Sequence, residues 1–109
     1  MKSKSLNILV LVLLIACVGC CPKAKQAIEP SQVIVTSYPS SIGEAGVAVY
    51  LPAGYATSEE DYPVLYLLHG SGDDETGWMT KGCAKAIHDS LITNELCKPK
   101  IVVMPNGYL

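Results

Sequence analysis

Along this chain the spacing of apolar residues changes several times, and each change marks an element. After Lys2 and Lys4 the sequence enters the run Leu6 to Ile15, in which only Asn7 is polar. Val33 to Thr36 is β-branched throughout, and Gly46 to Leu51 alternates small with branched or larger residues, so both predict strands. Turn residues from Pro39 to Gly43 lie between them and predict an antiparallel hairpin. Pro52 to Tyr62, with Gly54, Ser58 and the acids Glu59, Glu60 and Asp61, reads as a surface loop with a solvated acidic face. Val64 to Leu68 is an unbroken apolar run, VLYLL, bounded by Pro63 and by His69 and Gly70, which predicts a strand buried on both faces. Beyond the loop Gly70 to Gly77, Ala84, Ile87 and Leu91 recur at i, i+3 and i+7, with Lys85, His88 and Asp89 on other faces. That spacing predicts one amphipathic helix near 80 to 95, with His88 on its surface. Pro99 then leads into a second buried run, Ile101 to Met104, closed by Pro105, Asn106 and Gly107. Strand, helix and strand in this order make a right-handed βαβ unit and therefore an α/β fold.

The amino-terminal pattern reads differently, as an address. Basic residues, an apolar run and then small residues and cysteines form the three parts of a secretory signal. Leu6 to Gly19 is 14 residues, short of the ~18 to 20 that a spanning helix needs. Leu14, Ile15, Ala16 and Cys17 resemble the bacterial lipobox, which implies a signal peptide over 1–16 and acylation of Cys17, with Cys20 as the alternative. Residues 17–32 then read as a lipidated tether, its stretch from Pro22 to Pro30 a solvated spacer, ahead of a single domain over 33–109. The expected location is a bacterial membrane surface, periplasmic or external, reached by export and held by acyl chains.

Composition narrows the function. Half of the 109 residues are apolar and 17% are charged, so the chain is built to pack rather than to stay disordered. Eight lysines and no arginine face ten acids, for a formal charge of −2, which excludes a basic nucleic-acid surface. Export would permit disulfides, yet a helix running from Cys83 to Cys97 would separate them by about 21 Å, beyond the ~7 Å that a disulfide tolerates. Cys83 reads instead as a small buried hydrophobe. No second ligand pair completes a zinc pattern with His69 or His88, and neither a metal nor a cofactor is expected.

In an open α/β sheet, ligands gather beyond the carboxyl ends of the strands, where His69, Gly70, Ser71, Gly72, Asp73 and Asp74 fall. Gly70 and Gly72 allow close backbone approach and positive φ. A phosphate cradle would need G-x-x-x-x-G-K-[ST], which is absent. Asp73, Asp74 and Glu75 could attract a cation, but adjacent acids converge poorly and solvent exposure is the simpler account. The remaining reading is a strand-to-helix loop that supplies an oxyanion-hole amide.

VYLPAGY (Val49 to Tyr55), YPVLYLLHGSGDDETGW (Tyr62 to Trp78), the Gly82, Ala84, Ile87, Asp89, Leu91, Ile92 spacing and KPKIVVMPNGY (Lys98 to Tyr108) together resemble the esterase D family. Within it the likeness is nearest to secreted bacterial feruloyl and acetyl-xylan esterases. The resemblance implies the amino-terminal part of an α/β-hydrolase fold, with a hairpin, then strand-helix-strand, in an incomplete sheet. It further implies serine-esterase chemistry on acyl esters, those of plant cell-wall polysaccharide among them, with the Ser71 backbone N–H as an oxyanion donor and Gly70 in its loop. His69 would shape that loop, and Trp78 is a candidate substrate platform.

The sequence also departs from the family pattern. No serine here stands in G-x-S-x-G; even Ser71 has His69 where the first glycine belongs. Cys83 stands where relatives commonly carry arginine. The expected function is therefore the amino-terminal portion of a lipid-anchored serine esterase, without turnover of its own. Two alternatives stand beside it: a non-catalytic surface lipoprotein that binds an acyl or sugar ligand, and a portion of a prolyl-oligopeptidase-type peptidase, which shares the His-Gly loop.

Overall fold

The computed structural model describes residues 27–107; the signal segment expected over 1–16, Cys17, Cys20, Cys21 and most of the expected tether lie outside the described residues. Strand β1, Gln32–Ser40, turns through Ser41 and Ile42 into β2, Gly43–Leu51. Their antiparallel register runs from Gln32 opposite Leu51 to Ser40 opposite Gly43, so the predicted hairpin forms with a two-residue turn. The turn is tightened by Ser40, whose hydroxyl donates to the Gly43 carbonyl at 2.6 Å. After a 3-10 turn at Tyr55–Thr57 the chain forms β3, Val64–Tyr66, then helices α1, Gly77–Thr80, and α2, Ala84–Thr93, and finally β4, Ile101–Pro105.

The sheet order is β1-β2-β4-β3. β4 enters between β2 and β3, antiparallel to the first and parallel to the second. The parallel β3–β4 pair with helices in between is the predicted βαβ unit.

One face of the sheet carries the core. Ala48 and Tyr50 of β2 and Val102 and Met104 of β4 are buried, with Val33, Leu67, Met79 and Ile92 packed around them. Alternation along each strand selects these four, since i and i+2 share a face. Tyr50 is fully buried, and its hydroxyl has to find a partner there. It donates to Asp89 Oδ1 at 2.9 Å, while Lys85 Nζ donates to Asp89 Oδ2 at 2.7 Å and to Ser31 Oγ at 2.8 Å. Burial, and then the Asp89 hydrogen bond, push the Tyr50 hydroxyl above the ordinary phenol range. Burial also opposes ionisation of Asp89, but the hydrogen bonds from Lys85, Ser31 and Tyr50 outweigh it and hold the carboxyl below its ordinary value.

Several sequence expectations are corrected here. The helix predicted over 80 to 95 forms as Ala84–Thr93, starting four residues later than expected, and a separate one-turn helix, Gly77–Thr80, precedes it across a break at Lys81 to Cys83. Gly82 lies against Trp78, where a Cβ would stand 2.8 Å from the Trp78 carbonyl oxygen, and glycine resists helix continuation. Cys83 takes the left-handed conformation, φ 49°, and is exposed rather than buried. Both Cys83 and Cys97 are free thiols. On α2 the inward face is Ala84, His88 and Ile92, not Ile87, which is 51% exposed. His88 is half-buried, its ring centroid 5.4 Å from that of Tyr50, so it is no surface residue. α2 ends with Glu95 at φ 57°, while Leu96 N–H reaches the Leu91 carbonyl at 2.9 Å and Glu95 N–H the Ile92 carbonyl at 3.0 Å. These are the two bonds of a Schellman ending.

β3 departs most from the reading as a strand buried on both faces. It spans three residues, and Val64, Leu65 and Tyr66 are all exposed. Among the described residues β4 is its one neighbour, which leaves its outer edge unpaired. The end of the supposed spacer is tied down: the Glu29 carbonyl accepts from Gly54 N–H at 2.8 Å, and Ser31 joins the Lys85 contact. Among the described residues no helix is long and apolar enough to cross a membrane.

Replacing Tyr50 by Phe should lower stability at neutral pH by about 1 kcal/mol, the net value of one hydrogen bond to a partly exposed carboxylate. Because the folded Asp89 carboxyl titrates below its ordinary 3.8, its contribution is complete above that value and is lost as pH falls through the folded one. The wild-type advantage over Tyr50→Phe should therefore shrink in denaturant titrations below about pH 4.

Candidate active site: the loop after β3

Antiparallel and parallel pairing bring three segments to one end of the sheet. β4 leaves at Asn106 and Gly107, β3 leaves toward His69, and β2 passes the same point at Gly46, whose carbonyl accepts the Asn106 N–H at 2.8 Å. The segment 69–77 spans this end.

Its central feature is a four-residue turn. Asp73 N–H donates to the Gly70 carbonyl at 3.2 Å, and Gly72 sits at φ +78°, the third position, where a type II turn requires a residue free of left-handed strain. Of the two glycines marked in the sequence, only Gly72 uses positive φ. Ser71 occupies the second position and is exposed. Among the described residues no acceptor meets its backbone N–H. Ser71, Gly70 and His69 line an open cavity of about 250 Å³ with Leu68, Pro105 and Gly107. An N–H left without an acceptor at such a rim can donate to a negatively charged oxygen.

His69 bridges two loops. Gly107 N–H donates to its Nε2 at 3.0 Å, so the ring proton resides on Nδ1, which lies 2.8 Å from the Gly70 carbonyl and donates to it. Both nitrogens are thereby engaged in fixing the loop. Trp78 turns its indole N–H to the Leu68 carbonyl at 2.9 Å and remains 38% exposed. Its side chain lines a second cleft of about 380 Å³ with His69, Gly70, Asp73 and Lys81.

The three adjacent acids separate. Asp73 pairs with Lys81 at 3.0 Å; that hydrogen bond, with the backbone N–H of Asp74, holds its carboxyl below the ordinary range. Asp74 accepts from the Thr76 hydroxyl at 2.6 Å and from the Thr76 N–H at 2.8 Å, and its carboxyl is likewise lowered. Glu75 turns away to Asn106 and is half-buried rather than solvated. Among the described residues no group of His, Cys, Asp and Glu could hold a metal ion.

Sequence reading therefore missed Glu75, Asn106, Gly107 and Gly46 as parts of this site. The one signal was Gly46, an isolated glycine inside a strand pattern, which marks close approach of another group.

A sheet ordered β1-β2-β4-β3, helices on one face and a glycine turn at the carboxyl end of β3 define the opening strands of an α/β-hydrolase fold. Solved structures agree. A ferulic acid esterase superposes with a TM-score of 0.70 at 30% identity over 72% of this chain and 31% of its own. The feruloyl esterase module of Clostridium thermocellum does so with a TM-score of 0.62 at 28% identity over 78% of this chain and 31% of its own. The chain belongs to the esterase family described as "Putative esterase", whose model matches residues 40–108. An endo-1,4-beta-xylanase/feruloyl esterase of Xylanibacter ruminicola is 47% identical over 78 residues, covering 67% of this chain and 11% of that protein. An esterase of Mycobacterium tuberculosis is 44% identical over 71 residues, covering 62% and 14%. The chain thus spans roughly a tenth of the length of the curated relatives it matches.

The two glycines should respond differently to a methyl group. Gly72→Ala forces a side chain into positive φ and should cost about 1–2 kcal/mol, with loss of the Asp73 turn bond in amide-exchange measurements. At Gly70 a Cβ meets nothing within 4 Å, so Gly70→Ala should change stability by about 0.5 kcal/mol or less.

Proposed function

We propose that this chain supplies the oxyanion-loop portion of a serine carboxylic-ester hydrolase acting on acyl esters of plant cell-wall polysaccharide, feruloyl or acetyl. The observation that carries the reading is the Gly70–Asp73 turn at the carboxyl end of β3, with the Ser71 N–H meeting no acceptor among the described residues beside a cavity. Membership of the esterase family and the likeness to feruloyl esterases support the reaction class and the substrate class. In such chemistry the carbonyl oxygen of the ester gains negative charge as the nucleophile attacks, and a preplaced N–H stabilises it without reorganisation. His69, with both ring nitrogens bonded to backbone, holds the loop and takes no proton from a nucleophile. Trp78, anchored by its N–H and open on one side, offers an apolar wall suited to a planar acyl group. The 109 residues contain no G-x-S-x-G nucleophile, so hydrolysis by this chain alone should not exceed buffer with methyl ferulate or aryl acetates.

The donor role can be isolated because the second position of a type II turn accepts proline. Fused ahead of the elbow-bearing portion of a feruloyl esterase, Ser71→Pro removes the N–H and should lower turnover about 10²- to 10³-fold, whereas Ser71→Ala keeps it and should retain turnover. Loss of hydrolysis in Ser71→Ala would make the hydroxyl the acting group and overturn the assignment.

The same proposal includes a lipid anchor, supported by the Leu14-Ile15-Ala16-Cys17 sequence after a basic and apolar leader. Expressed in a bacterium, the chain should incorporate labelled fatty acid and partition into detergent, and Cys17→Ser should abolish both. Labelling retained in that variant would move the site to Cys20.

A further inference from the structure

Of the three consecutive acids in the loop, two are satisfied close at hand: Asp73 by Lys81 and Asp74 by Thr76. Glu75 alone reaches two other elements. Its Oε2 accepts from Asn106 Nδ2 at 2.8 Å, just past β4. Its carboxylate also fills the space above Gly46 of β2, where a Cβ would overlap Oε1 and lie 2.6 Å from Cδ. The carboxylate can sit there only because position 46 has no side chain. At the other end of the loop, His69 accepts from Gly107 N–H at 3.0 Å. The segment 69–75 is thus fastened at both ends to one dipeptide, Asn106–Gly107, and that dipeptide is itself pinned to β2 through the Asn106 N–H and the Gly46 carbonyl. Between the two fastenings lies the turn that presents Ser71.

We propose that Glu75 is a positioning residue for the Ser71 amide, acting through Asn106 and the glycine-made seat at Gly46. Its importance to catalysis rests on the oxyanion reading above; its effect on the loop does not. Without Glu75 the loop loses the bond to Asn106 and keeps the one to Gly107 through His69. Asp73 still holds it to Lys81 on the helix side, but the turn could tilt against the sheet end and the Ser71 N–H would swing with it. With Glu75 seated, the far end is fixed as well, and the amide is held where a donor needs to be within a few tenths of an ångström. The same geometry predicts that Gly46, some thirty residues earlier and on another element, controls the loop: a methyl group there evicts the carboxylate while leaving a residue well suited to a strand.

The test uses the full isotope-labelled chain in detergent micelles and reads backbone amides directly. Glu75→Ala and Gly46→Ala should each shift the Ser71 and Gly72 resonances and speed exchange of the Asp73 N–H at least about tenfold, with the β2–β4 ladder amides unchanged. Glu75→Gln, which still offers an oxygen to Asn106, should keep wild-type values. The double variant should add nothing to either single one. Wild-type Ser71 resonances in Glu75→Ala, equal perturbation by Glu75→Gln, or ladder amides accelerating as much as the loop would each overturn the proposal. Failure of the oxyanion reading would instead appear in the turnover of the Ser71→Pro fusion, where these amide measurements play no part.

Discussion

The pairing of β2 with β4 is the constraint from which the rest follows. It is antiparallel, with Val47 opposite Pro105 and Tyr50 opposite Val102, while β4 is parallel to β3, with Val64 opposite Ile101. A strand paired in opposite senses on its two sides brings the start of β2 and the ends of β3 and β4 to one edge. Gly46, His69 and Asn106 are remote in sequence and neighbours in space for that reason alone. If β4 slipped by one residue along β2, Val102 and Met104 would leave the core face and Asn106 would lose the Gly46 carbonyl at the same step.

The same ladder organises the polar interior. Tyr50 is buried because it shares a face with Ala48, Val102 and Met104, and a buried hydroxyl without a partner costs about 1–3 kcal/mol. Asp89 meets that need from α2, and Lys85 and Ser31 complete the group. One hydrogen-bonded cluster therefore joins β2, α2 and the residues just before β1. Its position opposite the loop end of Tyr50's strand leaves the site free of this network, so the fold is fastened in one place and the loop in another.

The loop itself is held by contacts drawn from several elements. Gly72 permits the turn, His69 and Glu75 hold its flanks, and the side chains of Asp73 and Asp74 are consumed by Lys81 and Thr76. Among the described residues no acceptor meets the Ser71 N–H.

The sequence by itself determined the elements that depend on local spacing: the hairpin from its turn residues, β4 from its apolar run, and the strand-loop-helix-strand order that fixes an α/β fold. It also pointed to His69 to Gly72 as the candidate site, because strand ends are where ligands gather in such sheets. Tertiary structure alone decided which residues make the site rigid. Adjacent acids look alike in sequence, yet Asp73, Asp74 and Glu75 have separate fates, since only the fold tells which faces Lys81, which faces Thr76 and which faces Asn106. The helix pattern named Ile87 as inward through its i, i+3, i+7 spacing from Ala84, whereas the sheet meets the i, i+4, i+8 row of Ala84, His88 and Ile92 on the same helix. Burial of β3 was read from its apolar run, and Val64, Leu65 and Tyr66 are exposed here, because burial belongs to the neighbours a strand has and not to the residues it carries.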